Sequence, residues 1–220
     1  MPEHAKPRRP PADDGLLIVG LVGRAGSGKS SVARALAVRG ARVLDADRVG
    51  HEVTDDDPEV RAALLAEYGP AVYLEDGSLN RRLVATLVFS NLVALAALNR
   101  LVHPRILQRL RARLTSLADE GFRVHHHGAA ALMLDWAFER ECDAVLAVVA
   151  PEAAQVARLV AARGWSEGEA RRRLGMQRPN ADFAAAADEV IDNRGTEAEL
   201  AAAAAEALER LLAAHARNSR

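Results

Sequence analysis

Apolar positions along the chain fall into two periods. Unbroken apolar runs within Leu16–Val22, Ala41–Leu44 and Glu189–Ile191 have the β-branched content of buried strands. Between and after them, Ser31–Val38 and Thr196–His215 carry apolar residues at three- and four-residue spacing and predict amphipathic helices, the first closed by Gly40. Alternation of this kind predicts an α/β fold with a parallel sheet flanked by helices. Residues 55–118 differ: they show helical spacing alone, a start signal at Asp56-Asp57-Pro58 and a break at Gly69-Pro70. A further strand is expected at Ala129–Asp135, although His125, His126 and His127 stand before it where apolar residues belong. Ser166 and Glu169 form a capping box for a helix running to Gln177. The expected division is a disordered arm at 1–14 with four prolines, a core of 15–54, 119–164 and 184–220, a helical insertion at 55–118 and a separate segment at 165–183.

Chemistry enters directly after the first strand. Gly23-Arg24-Ala25-Gly26-Ser27-Gly28-Lys29-Ser30 fits G-x-x-x-x-G-K-[ST] at every fixed position, between a strand and a helix. Such a loop turns backbone N–H groups inward and adds the dipole of the following helix, so Gly26, Ser27, Gly28, Lys29, Ser30 and Ser31 form a candidate nucleotide phosphate site. Lys29 would reach the β- and γ-phosphates of ATP, and the Ser30 hydroxyl would ligate Mg2+.

Composition sharpens this. The chain holds 29 Lys+Arg, yet only Lys6 and Lys29 are lysine, so a compact ammonium at that place answers a specific need. A formal net charge of -1 gives no field for nucleic acid. Cys142 is the lone cysteine, which excludes an internal disulfide and fits a reducing cytoplasm. No apolar stretch approaches a membrane span and no secretory signal is evident, so a cytoplasmic protein is expected. Asp45 and Asp47 follow the second strand at its carboxyl end, where ligands of open parallel sheets bind. They either serve magnesium and a nucleophile beside the phosphates or form an ordinary helix cap with a solvated neighbour.

The run GRAGSGKSSVARALAVRGARVLDADRVGHEV resembles the opening of the dephospho-coenzyme A kinase family, in which the loop helix leads to V-x-D-A-D-x-[IV]-x-x-E. Gly77–Leu83 with Leu87-Val88-Phe89 is similar to that family's G-x-L-[DN]-R-x-x-L-x-x-x-V-F, Leu101–Ile106 to its L-x-H-P-x-I, and Ala187–Gly195 to its A-D-x-V-I-x-N-x-G. The third strand departs from the family's [DEV]-x-P-L-L-[FI]-E: proline is missing and Asp135 stands for glutamate.

The resemblance implies ATP-dependent phosphorylation of the ribose 3′-hydroxyl of dephospho-coenzyme A, with Mg2+, by a monomer or weak homo-oligomer. Asp47 would be the base, Lys29 and Arg173 of a lid formed by 165–183 would stabilise the transferred phosphoryl, and Asn193 would approach the adenine. Asp45, Arg81, His103 and Asp135 would serve the acceptor in a domain formed by 55–118. Alternatives stay open at several positions: His103-Pro104 as a turn, Asn193 as a turn before Gly195, the lid arginines as surface charge, and His125 with His127 as a metal pair. Another small-molecule kinase, or a non-catalytic nucleotide-binding descendant, would share the same loop.

Overall fold

The computed structural model describes residues 17–89, 92–119, 124–128 and 138–218. In chain order its elements are β1 (Leu17–Val22), α1 (Lys29–Val38), β2 (Arg42–Asp45), α2 (Ala46–Asp56), α3 (Pro58–Tyr68), α4 (Arg81–Phe89), α5 (Leu92–Asp119), β3 (Val124–Gly128), β4 (Ala144–Val149), α6 (Glu152–Arg163), α7 (Glu167–Gly175), α8 (Asn180–Ala186), β5 (Glu189–Asp192) and α9 (Glu197–Asn218). They group into two compact units, one reaching Asp45 and resuming at Leu117, the other Ala46–Ser116. The division falls just after β2, so α2 groups with the helical unit rather than with the core segment 15–54.

In the first unit the strands form a parallel sheet in the order β2-β3-β1-β4-β5. β1 lies at its centre with every residue buried, as an unbroken apolar run demands of a strand covered on both faces. The histidine stretch itself forms β3, pairing Ile18 with His125 on one side and Arg42 with His125 on the other. The strand expected at 129–135 lies outside the described residues. Main-chain ladders on both flanks define β3, and neighbours can override a weak side-chain preference for strand. Residues 129–137, Asp135 among them, lie outside the described residues.

Helices α1 and α9 cover one face of the sheet. Val32 and Leu36 of α1, Leu21 of β1, Leu146 of β4 and Leu200, Leu208 and Leu211 of α9 form one buried apolar cluster. Each such side chain contributes roughly 1.5–3 kcal/mol on leaving water. Two carboxylates join the strands by accepting main-chain N–H bonds: Asp143 Oδ2 from Ile18 at 2.7 Å and Asp188 Oδ2 from Val145 at 2.6 Å.

In the helical unit, Asp57 caps α3 by accepting from the N–H groups of Glu59 and Val60, with Pro58 at the first helical position. Val53, Val60, Leu64, Ile106 and Leu110 are buried. His103 and Pro104 lie inside α5, not at a turn. The missing proline N–H removes only the helical bond to the Arg100 carbonyl, and the helix runs on.

Candidate active site

The loop between β1 and α1 stands at the carboxyl edge of the sheet, where its central strand ends. Gly23 has φ +146°, and a Cβ there would lie 2.2 Å from the Val148 carbonyl oxygen. Gly28, at φ +107°, would press a Cβ to 2.2 Å from Asn193 Nδ2. Both positions therefore need glycine, for close approach and for backbone shape. The buried Lys29 ammonium donates to the carbonyls of Gly23 at 2.8 Å and Arg24 at 2.9 Å. Ser30 and Ser31 follow in the first turn of α1, where helix N–H groups and dipole favour an anion.

Side chains from three other elements hold this loop. Asn193, just after β5 and 5% exposed, donates from Nδ2 to the Ser27 carbonyl at 2.7 Å. Gln177, just past α7, accepts from the Ala25 N–H at 2.9 Å. Arg24 is buried; it pairs with Glu152 of α6 at 3.3 Å and donates to the Leu174 carbonyl of α7. Sequence reasoning marked Gln177 only as the end of a helix and gave no role to Arg24, because a variable motif position carries no pattern of its own. Beside Asn193 a cleft of about 290 Å³ opens between Ile191, Asp192, Gly195, Glu199, Leu200 and Ala203. That size is near the lower end of the ~300–1,000 Å³ range of ligand sites and suits a base more than a whole nucleotide.

Asp45 ends β2 at the same sheet edge. One strand, β3, separates β2 from β1, so two ladder spacings put the Asp45 strand about 10 Å from the phosphate loop's strand.

Ser166 Oγ caps α7 by accepting from the Glu169 N–H at 3.2 Å. The Glu169 carboxylate turns to arginine instead of completing the box: Arg173 Nε donates to it at 2.6 Å, and Arg172 also pairs with it. The Arg173 hydrogen bond, aided by the charge of Arg172, holds the Glu169 carboxyl below its ordinary value. Arg173 also lies over the Trp165 ring, 4.4 Å from its centroid, while Trp165 packs on the cluster of Val156, Leu159, Ala170 and Leu174. Thus Arg173 is oriented on α7 by an anion and an aromatic face.

Three of the candidates belong to the helical unit. Asp47 stands in the first turn of α2. Arg81 pairs with Asp55 at 2.8 Å, and the other Asp55 oxygen accepts from the Leu79 N–H at 2.8 Å. Near them, Arg61 lies 4.0 Å from the Tyr73 ring centroid, and the Tyr73 hydroxyl donates to the Thr54 carbonyl at 2.9 Å. Burial raises the Tyr73 pKa, against the charge of Arg61. His103 is half-buried within α5.

A magnesium ion would find a hard oxygen in Ser30, next to the loop lysine. The described residues hold no group of three His, Cys, Asp or Glu side chains that could cage a metal alone. Magnesium fits this sparse donor set, since it keeps several waters and binds through substrate phosphates with few protein ligands.

A glycine-rich phosphate cradle on the central strand of a parallel sheet flanked by helices defines a P-loop kinase. The family model described as dephospho-CoA kinase matches residues 17–199, and the chain belongs to that family. A dephospho-CoA kinase from Thermobifida fusca is 40% identical over 196 residues, covering 89% of this chain and 96% of the relative. A crystal structure of a Thermus thermophilus protein superposes with a TM-score of 0.75 at 30% identity, covering 89% of this chain and 97% of that one. The dephospho-CoA kinase structure from Campylobacter jejuni shares the fold at 18% identity, with a TM-score of 0.59 over 90% of this chain and 98% of the other.

Proposed function

We propose that this protein transfers the γ-phosphoryl group of ATP to the ribose 3′-hydroxyl of dephospho-coenzyme A, giving coenzyme A and ADP. The observation that carries the reading is the loop of Gly23–Ser30, complete in sequence and held in a cradle by Lys29, Asn193, Gln177 and Arg24. Family membership supplies the acceptor.

Gly26, Ser27, Gly28, Lys29, Ser30 and Ser31 bind the phosphates, and the cleft beside Asn193 receives the adenine. Ser30 would hold a magnesium ion, which when bound would supply charge neutralisation on the phosphates. The 3′-oxygen forms a bond to the γ-phosphorus as the bond to the β–γ bridging oxygen breaks, and ADP departs. Asp47 orients the attacking hydroxyl and takes its proton. Lys29 follows the charge that spreads over the transferred group, and Arg173 joins it when residues 165–183 close as a lid and exclude water. The helical unit binds the acceptor, with Arg81 suited to a phosphate through its planar fork; His103 and Asp45 also serve the acceptor. The protein works as a monomer or weak homo-oligomer in the cytoplasm, where the unbridged Cys142 remains reduced.

A coupled assay tests this. ATP with dephospho-coenzyme A should release ADP at a rate that Lys29→Ala cuts by about two to three orders of magnitude, while a panel of nucleosides should give none. Turnover with a nucleoside and none with dephospho-coenzyme A would refute the acceptor.

A further inference from the structure

Arg158 extends from α6 to the phosphate loop. Its Nη1 donates to the Gly26 carbonyl at 3.1 Å and to the Ser27 carbonyl at 3.4 Å, and its Nη2 donates to the Asn193 carbonyl at 3.4 Å. Among the described residues, no carboxylate forms an ion pair with it. The guanidinium thus directs its charge at main-chain oxygens of the loop and of the segment that lines the cleft.

The geometry of the peptide unit gives this contact a consequence. In a trans peptide the carbonyl and the N–H point to opposite sides. Holding the Ser27 oxygen toward Arg158 and Asn193 therefore turns the Gly28 N–H the other way, at the N-terminus of α1. The Gly26 oxygen is fixed in the same manner, and the Ser27 N–H of that peptide closes the loop turn onto the Arg24 carbonyl at 3.2 Å. That carbonyl in turn accepts from Lys29. A cation on a carbonyl also polarises the amide and strengthens its N–H as a donor.

We infer that Arg158 is a positioning residue for the phosphate cradle, acting through the Gly26 and Ser27 carbonyls to aim the loop's donors and to place a positive charge behind the bound phosphates. It rests on the reading of this loop as a nucleotide phosphate site.

The test is calorimetry of the full chain and of Arg158→Met and Arg158→Lys, with ADP, inorganic tripolyphosphate and adenosine as probes, alongside steady-state kinetics. Loss of one charge-assisted contact should weaken ADP and tripolyphosphate roughly tenfold in Arg158→Met. Adenosine binding should not change, and Arg158→Lys should recover part of the loss. The KM for ATP should rise while the KM for dephospho-coenzyme A stays at the wild-type value. ADP affinity equal to wild type in both variants, even with a lower melting temperature, would overturn the inference and leave Arg158 a stability role only. Equal losses for adenosine and ADP would overturn it in favour of a contact with the base. Failure of the wild type to bind either phosphate probe would instead overturn the reading of the loop.

Discussion

Gly28→Ala perturbs the cradle at one atom, and its cost can be worked from the structure. Gly28 sits at φ 107° and ψ 10°, in the left-handed region, where a side chain costs about 1–2 kcal/mol. The new Cβ would stand 2.2 Å from Asn193 Nδ2 and 3.3 Å from Leu200 Cδ2, so the amide must withdraw by more than an ångström. Withdrawal breaks its 2.7 Å bond to the Ser27 carbonyl, worth about 1 kcal/mol. The sum, about 2–3 kcal/mol, predicts a melting temperature lower by roughly 4–12 °C for a chain of this size. If the loop must hold this shape to bind, ADP affinity falls about 30- to 150-fold. A double-mutant cycle with Asn193→Gly isolates the clash. The single Asn193→Gly change loses about 1 kcal/mol, and the double variant should be no less stable than Gly28→Ala alone, a coupling of about 1 kcal/mol. Thermal unfolding and ADP calorimetry read both quantities. Additive losses, or a Gly28→Ala protein that melts and binds like wild type, would refute the reasoning.

Lys29→Ala and Asp47→Asn should each lower phosphoryl transfer by about two to three orders of magnitude with melting temperature retained, measured by ADP release. Asp55→Ala removes the acceptor of both the Leu79 N–H and Arg81, and should destabilise the protein by about 2 kcal/mol in urea unfolding. Its companion Arg81→Ala should raise the KM for dephospho-coenzyme A about tenfold and leave the KM for ATP unchanged. Because Arg173 holds the Glu169 carboxyl below its ordinary value, their pair stabilises α7 fully above the unfolded pKa of about 4.3 and loses that contribution as pH falls through the lowered folded value. Acid unfolding of Glu169→Gln should lack this component, and identical acid profiles for variant and wild type would contradict the pairing.

Much of the fold was legible because it is local. An apolar run before a glycine loop, a helix after it and a glycine at that helix's end are each set by neighbours in sequence, and β1, α1 and Gly40 follow from them. Ser166 likewise announced α7. His125–His127 join the sheet through main-chain pairing with β1 and β2, which their side-chain composition does not report. Pro104 misled in a similar way, because packing carries α5 across a residue that locally argues for a turn. Within the site, the loop residues were readable from spacing, whereas Arg24, Arg158 and Gln177 meet it only through tertiary approach. Asn193 was a candidate from its place after a strand, but its hydrogen bond to Ser27, distant in sequence, has no local signal.

The central claim is phosphoryl transfer from ATP to one hydroxyl of dephospho-coenzyme A. Purified protein incubated with Mg·ATP and dephospho-coenzyme A, with the product identified by mass and by phosphorus NMR, measures it most directly. A product heavier by one phosphoryl group, carried on the ribose 3′-oxygen and formed in step with ADP, is the predicted result, and Lys29→Ala should form it about two to three orders of magnitude more slowly. ATP bound by the loop with dephospho-coenzyme A left unchanged, or the phosphoryl group found on a different acceptor atom, would contradict the account.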